Sequence, residues 1–103
     1  MNLDGNENHD ISLELAAEWT ANYRNTNPGD TISHYFGKQS IQSILQQEGA
    51  VGIRIYYANN EKGEKQLIVV GVKSDGNDIY LGQLAEKSIK CPPNCPLPNP
   101  LNT

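Results

Sequence analysis

Val51-Gly-Ile-Arg-Ile-Tyr-Tyr-Ala58 is the segment of this chain with strict two-residue periodicity. Val51, Ile53, Ile55 and Tyr57 alternate with Gly52, Arg54, Tyr56 and Ala58, which places the two sets on opposite faces of a strand. After the polar break Asn59-Asn-Glu-Lys-Gly-Glu64, of hairpin length, comes Lys65-Gln-Leu-Ile-Val-Val-Gly-Val-Lys73. That second run is rich in β-branched side chains and apolar on both faces, the pattern of a central strand. Ser74-Asp-Gly-Asn77 reads as a tight turn with Gly76 free to take positive φ, and Asp78–Leu81 as a third strand. The three make an antiparallel meander.

Working back toward the N-terminus, the period changes from 2 to 3.6. Leu15, Trp19 and Tyr23 recur every fourth residue, with Ala16 beside them, and lay one apolar stripe along a helix capped by Asp10 or Ser12. The helix ends at Asn25-Thr-Asn-Pro-Gly-Asp30, because Pro28 disfavours helical backbone at Asn27. Ile32, Tyr35 and Phe36 are expected on a short helical piece opened by Asp30 or Thr31. A second helix is expected over Lys38–Glu48, with Ile41, Ile44 and Leu45 inward and Gly49 in the left-handed position behind it. Gly52 and Gly71 are expected as neighbours across the hairpin, where missing side chains let another element come close.

The flanks read differently. Residues 1–10 hold one strongly apolar side chain besides the initiator, Leu3, and are expected to be a flexible lead. Gln83–Lys90 fits a short helix or a loop. From Cys91 to Pro100 five of ten residues are proline, so residues 91–103 are expected to be a disordered or polyproline-like tail. The reading is therefore α+β: two N-terminal helices packed on a three-stranded antiparallel meander, in a single domain over residues 11–90, followed by the Pro-rich tail.

The 103 residues carry 8 basic and 12 acidic side chains, a formal charge of −4. The cations are scattered from Arg24 to Lys90, which argues against a nucleic-acid partner, since phosphate neutralisation needs clustered Lys and Arg. The longest apolar run, Leu67–Val72, is far short of the ~20 residues that cross a bilayer, and the polar, acidic first ten residues resemble no targeting segment. A cytoplasmic location and no membrane partner are the expectations.

Few residues are placed for chemistry. Cys91 and Cys95 are the candidate metal ligands, but a C-x3-C pair lacks the two further ligands of structural zinc and the spacing of a redox motif, so two exposed thiols or a small disulfide loop stand ahead of a metal site. That disulfide would not persist in a reducing cytoplasm. Asp75-Gly-Asn-Asp78 has the look of a calcium loop without its remaining oxygen ligands. His9 and His34 stand apart from any nucleophile. No catalytic residue and no cofactor are expected. Arg54 and Tyr56, side by side on one strand face, form the candidate interaction patch, either a solvated stack of Arg54 on Tyr56 or a surface that binds a partner.

The segments Gln47–Ala58, Lys65–Val72 and Asp75-Gly-Asn-Asp78, with the Cys-Pro-Pro-x-Cys tail, resemble a group of small bacterial proteins of the Bacteroidetes type. No activity or catalytic residue is assigned to that group, so the resemblance implies a cytoplasmic bacterial setting and nothing about chemistry. Two function classes follow. One is a non-catalytic module that self-associates, as a homodimer or larger, or docks another protein, because Leu67–Val72 needs cover on both faces. The other is a small-ligand binder or enzyme with a pocket lined by Trp19, Tyr35, Tyr57 and Tyr80. Metal-dependent assembly through Cys91 and Cys95 is a third possibility.

Overall fold

The structure, a computed structural model, describes all of residues 1–103. The fold is α+β with antiparallel sheets, its elements running α1 (Leu13–Thr26), β1 (Ser33–Tyr35), α2 (Lys38–Leu45), β2 (Ala50–Asn59), β3 (Lys65–Lys73), β4 (Leu84–Ala85) and β5 (Ile89–Cys91). The chain divides into two units that interleave along the sequence. Residues 1–7 and 36–88 form one, and residues 8–35 and 89–103 the other.

The first unit holds a three-stranded antiparallel sheet of order β2-β3-β4. β3 lies in the middle, and Val69, Val70, Gly71 and Val72 are buried. α2 packs on this sheet through the fully buried Ile44. Ile41 is half-buried beside it, while Leu45, expected inward, is exposed because the helix stops there. The helix is shorter than its apolar spacing suggests: Gln46 N–H makes its last bond, to Gln42 O, Gln47 N–H already makes a turn bond to Ile44 O, and Gly49 reverses the chain at φ +84°.

The third strand is displaced from its expected place. Asp78 bridges Val72, and Ile79 N–H donates to Gly71 O at 2.8 Å, but pairing then lapses and Tyr80 and Leu81 stand exposed. The chain rejoins β3 at Leu84–Ala85, opposite Val70 and Val69. Gln47 accounts for the break. Its Nε2 donates to Ile44 O at 2.9 Å, and its Oε1 accepts from Gln83 N–H at 2.8 Å. A side chain from the turn after α2 thus holds a backbone group that a continuous strand would have satisfied. Gly82 lies so close to Gln47 Oε1 that a Cβ there would collide with it.

The second unit holds α1 and a two-stranded sheet of β1 and β5, with Ser33 opposite Cys91, His34 opposite Lys90 and Tyr35 opposite Ile89. Ser12 caps α1, its Oγ accepting from Leu15 N–H at 3.1 Å. The expected stripe of Leu15, Trp19 and Tyr23 is exposed, and the half-buried positions are Ala16, Ala17, Thr20, Ala21 and Arg24. Short side chains let a helix approach its neighbours more closely than Trp19 could. The expected helical piece around Tyr35 is instead β1, since Ile32 N–H donates to Cys91 O at 2.8 Å and starts a ladder. Of the two helices expected on the meander, α2 packs on it; α1 belongs to the second unit, and β1 intervenes between the two in sequence.

The C-terminal segment is not the disordered tail that its prolines suggest. Arg24 Nη1 donates to Leu101 O at 2.7 Å, and Asn94 N–H donates to Lys90 O at 3.0 Å. Asn99 Oδ1 accepts from Leu101 N–H, while Asn102 Oδ1 accepts from Asn99 N–H. The Nδ2 groups of Asn99 and Asn102 donate to Leu97 O, both at 3.2 Å, and supply donors that the prolines withhold, while their Oδ1 atoms make reciprocal caps that mimic backbone turns. In the N-terminal lead, Leu3 N–H donates to Ser74 O at 2.7 Å.

Gly52 and Gly71 are not cross-strand partners; Gly52 faces Val72, and Gly71 faces Ile53. They also differ in surroundings. A Cβ on Gly71 would stand 3.0 Å from Gln47 Nε2 and 3.4 Å from the Ile44 carbonyl, whereas Gly52 has open space. Gln47 is held at both ends and the carbonyl is backbone, so neither yields readily. Gly71→Ala should therefore destabilise by roughly 1–3 kcal/mol, the cost of overpacking. Gly52→Ala should be neutral or stabilise by up to about 1 kcal/mol, through a less free unfolded chain. Denaturant melts of the two variants should move in opposite directions.

Candidate functional site

The side chains singled out for interaction stand on β2. Arg54 and Tyr56 project from the same face, opposite Val70 and Ile68 of β3. The Ser74–Asn77 turn brings the chain back along the far side of β3, with Gly76 at φ +88° and Asp78 opposite Val72. Asp78 is thereby diagonal to Arg54, on the same face. Arg54 Nη1 meets Asp78 Oδ1 at 2.5 Å and donates to Gly76 O at 3.0 Å. Tyr56 Oη donates a very short hydrogen bond to the other carboxylate oxygen, Oδ2. One carboxylate thus binds a guanidinium and a phenol that sit two residues apart on the strand beyond β3.

The electrostatics follow from these contacts. The Tyr56 hydrogen bond is the largest influence holding the Asp78 carboxyl below its usual range, with the bond and charge of Arg54 adding to it against partial burial. The same contacts push Tyr56 and Arg54 upward, since the phenol proton and the guanidinium charge are both stabilised by the carboxylate. Asp75 in the turn is held low chiefly by Asn77 N–H, which donates to its Oδ1 at 2.9 Å. The arrangement is a charge-assisted clamp that fixes the 74–78 turn to β2 across β3.

Asp78 is the residue that sequence reasoning missed. Its local sequence reads as the start of a strand after a tight turn and does not point to Arg54. The signal was available in the turn length: a four-residue return after Lys73 sets residue 78 beside Val72, one diagonal step from Arg54.

The remaining candidates lie elsewhere. Cys91 and Cys95 are joined as a disulfide with their Cα atoms 4.7 Å apart, so in this form neither sulfur is a thiolate able to ligate a metal. No group of three or more His, Cys, Asp or Glu side chains is placed to hold a metal ion. His34 sits across from Lys90, and desolvation followed by that nearby charge lowers its pKa. Of the proposed pocket lining, Trp19 and Tyr35 belong to the second unit and Tyr57 and Tyr80 to the first, and all four rings are exposed. No helix is long and apolar enough to cross a membrane.

The clamp predicts an acid limb. A carboxyl with a lower pKa folded than unfolded contributes stability above 3.8 and loses it as the pH falls through the folded value. Asp78→Asn should lower the melting temperature at neutral pH, and its difference from wild type should close below pH 3.8. Tyr56→Phe removes the hydrogen bond that most lowers the Asp78 carboxyl, so thermal melts across a pH series should show a smaller acid limb that ends at higher pH than in wild type. Set beside protein-family models, curated proteins and solved structures, this chain matches none of them.

Proposed function

We propose that this chain is a non-catalytic interaction module that works by self-association. The observation that carries the reading is the apolar row on β2. Ile53, Ile55 and Tyr57 share one face of that strand and are 39%, 49% and 94% exposed. The ground for assembly thus differs from the one the sequence suggests. β3 has its apolar core sealed on both faces within the chain, from Val69 to Val72. The uncovered surface belongs to its neighbour.

Burying such a row against a partner removes apolar area from water at about 25 cal/mol per Å². A row of this kind on a small protein is a mark of an interaction surface, where isolated exposed apolar residues are not. The disulfide bears on location. A cytoplasmic setting would keep Cys91 and Cys95 reduced, whereas an oxidising compartment preserves the bond found here. Self-association through β2 needs neither state, because both cysteines lie in the other unit.

Sedimentation or light scattering over a wide concentration range tests the proposal. A molar mass rising from 11.4 kDa toward twice that value is expected. A mass fixed at that of the single chain up to the highest attainable concentration would overturn it.

A further inference from the structure

The outer edge of β2 has a definite hydrogen-bond phase. Asn60 N–H donates to Glu64 O at 3.0 Å at the mouth of the hairpin, and bonded positions in an antiparallel pair recur at every second residue. Ala58, Tyr56 and Arg54 therefore aim their main-chain groups at β3, opposite Gln66, Ile68 and Val70. The far side of β3 agrees: Gly71 O accepts from Ile79 N–H, and Lys73 N–H donates to Asn77 O, so these intervening positions point away from β2. Ile53, Ile55, Tyr57 and Asn59 consequently direct their N–H and C=O groups outward from a strand that ends its sheet. Gly5 lies against the Val51 carbonyl, where a Cβ would come within 2.7 Å, so the free edge begins at Ile53.

We infer that a second copy of this chain adds its own β2 antiparallel to this edge, centred on Ile55, and joins two three-stranded sheets into one across a twofold axis. The inference rests on the self-association reading and names its occupant and register. Hydrogen-bond phase requires outward-aimed residues to face each other, which leaves few centres. Centring on Arg54 sets Tyr57 against Val51, where Gly5 already lies, and so leaves two apolar pairings in place of three. Centring on Tyr56 sets Ile53 against the polar Asn59. Centring on Ile55 sets Ile53 against Tyr57, Ile55 against itself and Tyr57 against Ile53, and on the other face Arg54 against Tyr56. Each of the three apolar pairings exchanges two main-chain hydrogen bonds. This apolar self-complementarity about Ile55 is what selects a copy of the chain over an unrelated extended peptide.

Two kinds of variant test it. Ile55→Cys should be joined into a covalent dimer by a short thiol crosslinker, the two thiols facing each other about 5.5 Å apart at Cα. Ile53→Cys should not, because four residues of offset hold its two copies about 13 Å apart. Ile55→Pro removes a donor that serves only the outer edge, where proline is tolerated, and should raise the dimer dissociation constant about tenfold or more with an unchanged far-UV spectrum. A dimer in which Ile55→Cys stays unlinked, or Ile53→Cys links equally well, overturns this pairing and leaves self-association standing. A chain that is monomeric at every concentration overturns both. If Ile55→Pro fails to fold, the comparison of the two cysteine variants decides alone.

Discussion

Val69-Val-Gly-Val72 must be kept from water on both faces, and the arrangement of the first unit answers to that requirement. A strand with apolar side chains on each side cannot lie at a surface without exposing one set. On one face the answer is α2, which brings Ile44 down over Gly71, where the missing side chain makes room. The opposite face is that of Val70 and Val72, which carries the Arg54–Asp78 pair and Tyr56 on it. The placement of Gln47 follows as well. With α2 drawn close over Gly71, the turn that follows it reaches the returning chain, and the Gln47 side chain takes over a backbone bond from what would have been a third strand.

The two-residue and four-residue periods carried the parts of the fold that depend on local pattern. β2, β3 and the turn at Gly76 stand close to where alternation and turn chemistry put them, and Ser12 was a named cap. Where the reading departed, a long-range contact had overridden a local preference. Asp78–Leu81 has the composition of a strand, but Gln47, more than thirty residues earlier, interrupts its pairing. The Leu15, Trp19 and Tyr23 stripe has the spacing of a buried face, yet α1 covers its alanines instead. The choice between two faces of one helix depends on how closely another element approaches, which a helical period does not contain.

The tail and the candidate site failed to appear for a different reason. Counting prolines measures lost donors but ignores side-chain amides that replace them, and those of Asn99 and Asn102 donate to Leu97 O. Asp78, at the junction of a turn and an expected strand, carries no local sign of its partner. Its partner was visible, but pairing a residue with one twenty-four positions earlier requires the strand register. Arg54 and Tyr56 were legible as a pair; the group that binds them was not.

The clamp and the open edge of β2 are physically linked. Proteins commonly blunt an edge strand with a proline or with a charged side chain, most often lysine, which a second strand could not pair against without penalty. β2 has no proline, and its one ionised side chain is Arg54. Asp78 and the Gly76 carbonyl draw that guanidinium across β3, away from the edge, and neutralise it there. The contact that fastens the turn therefore also strips the edge of its only charge. A free Arg54 would repel an approaching copy; a clamped one presents its stem and a compensated head. On this argument the carboxylate that stabilises the sheet is also what leaves its outer strand able to accept another.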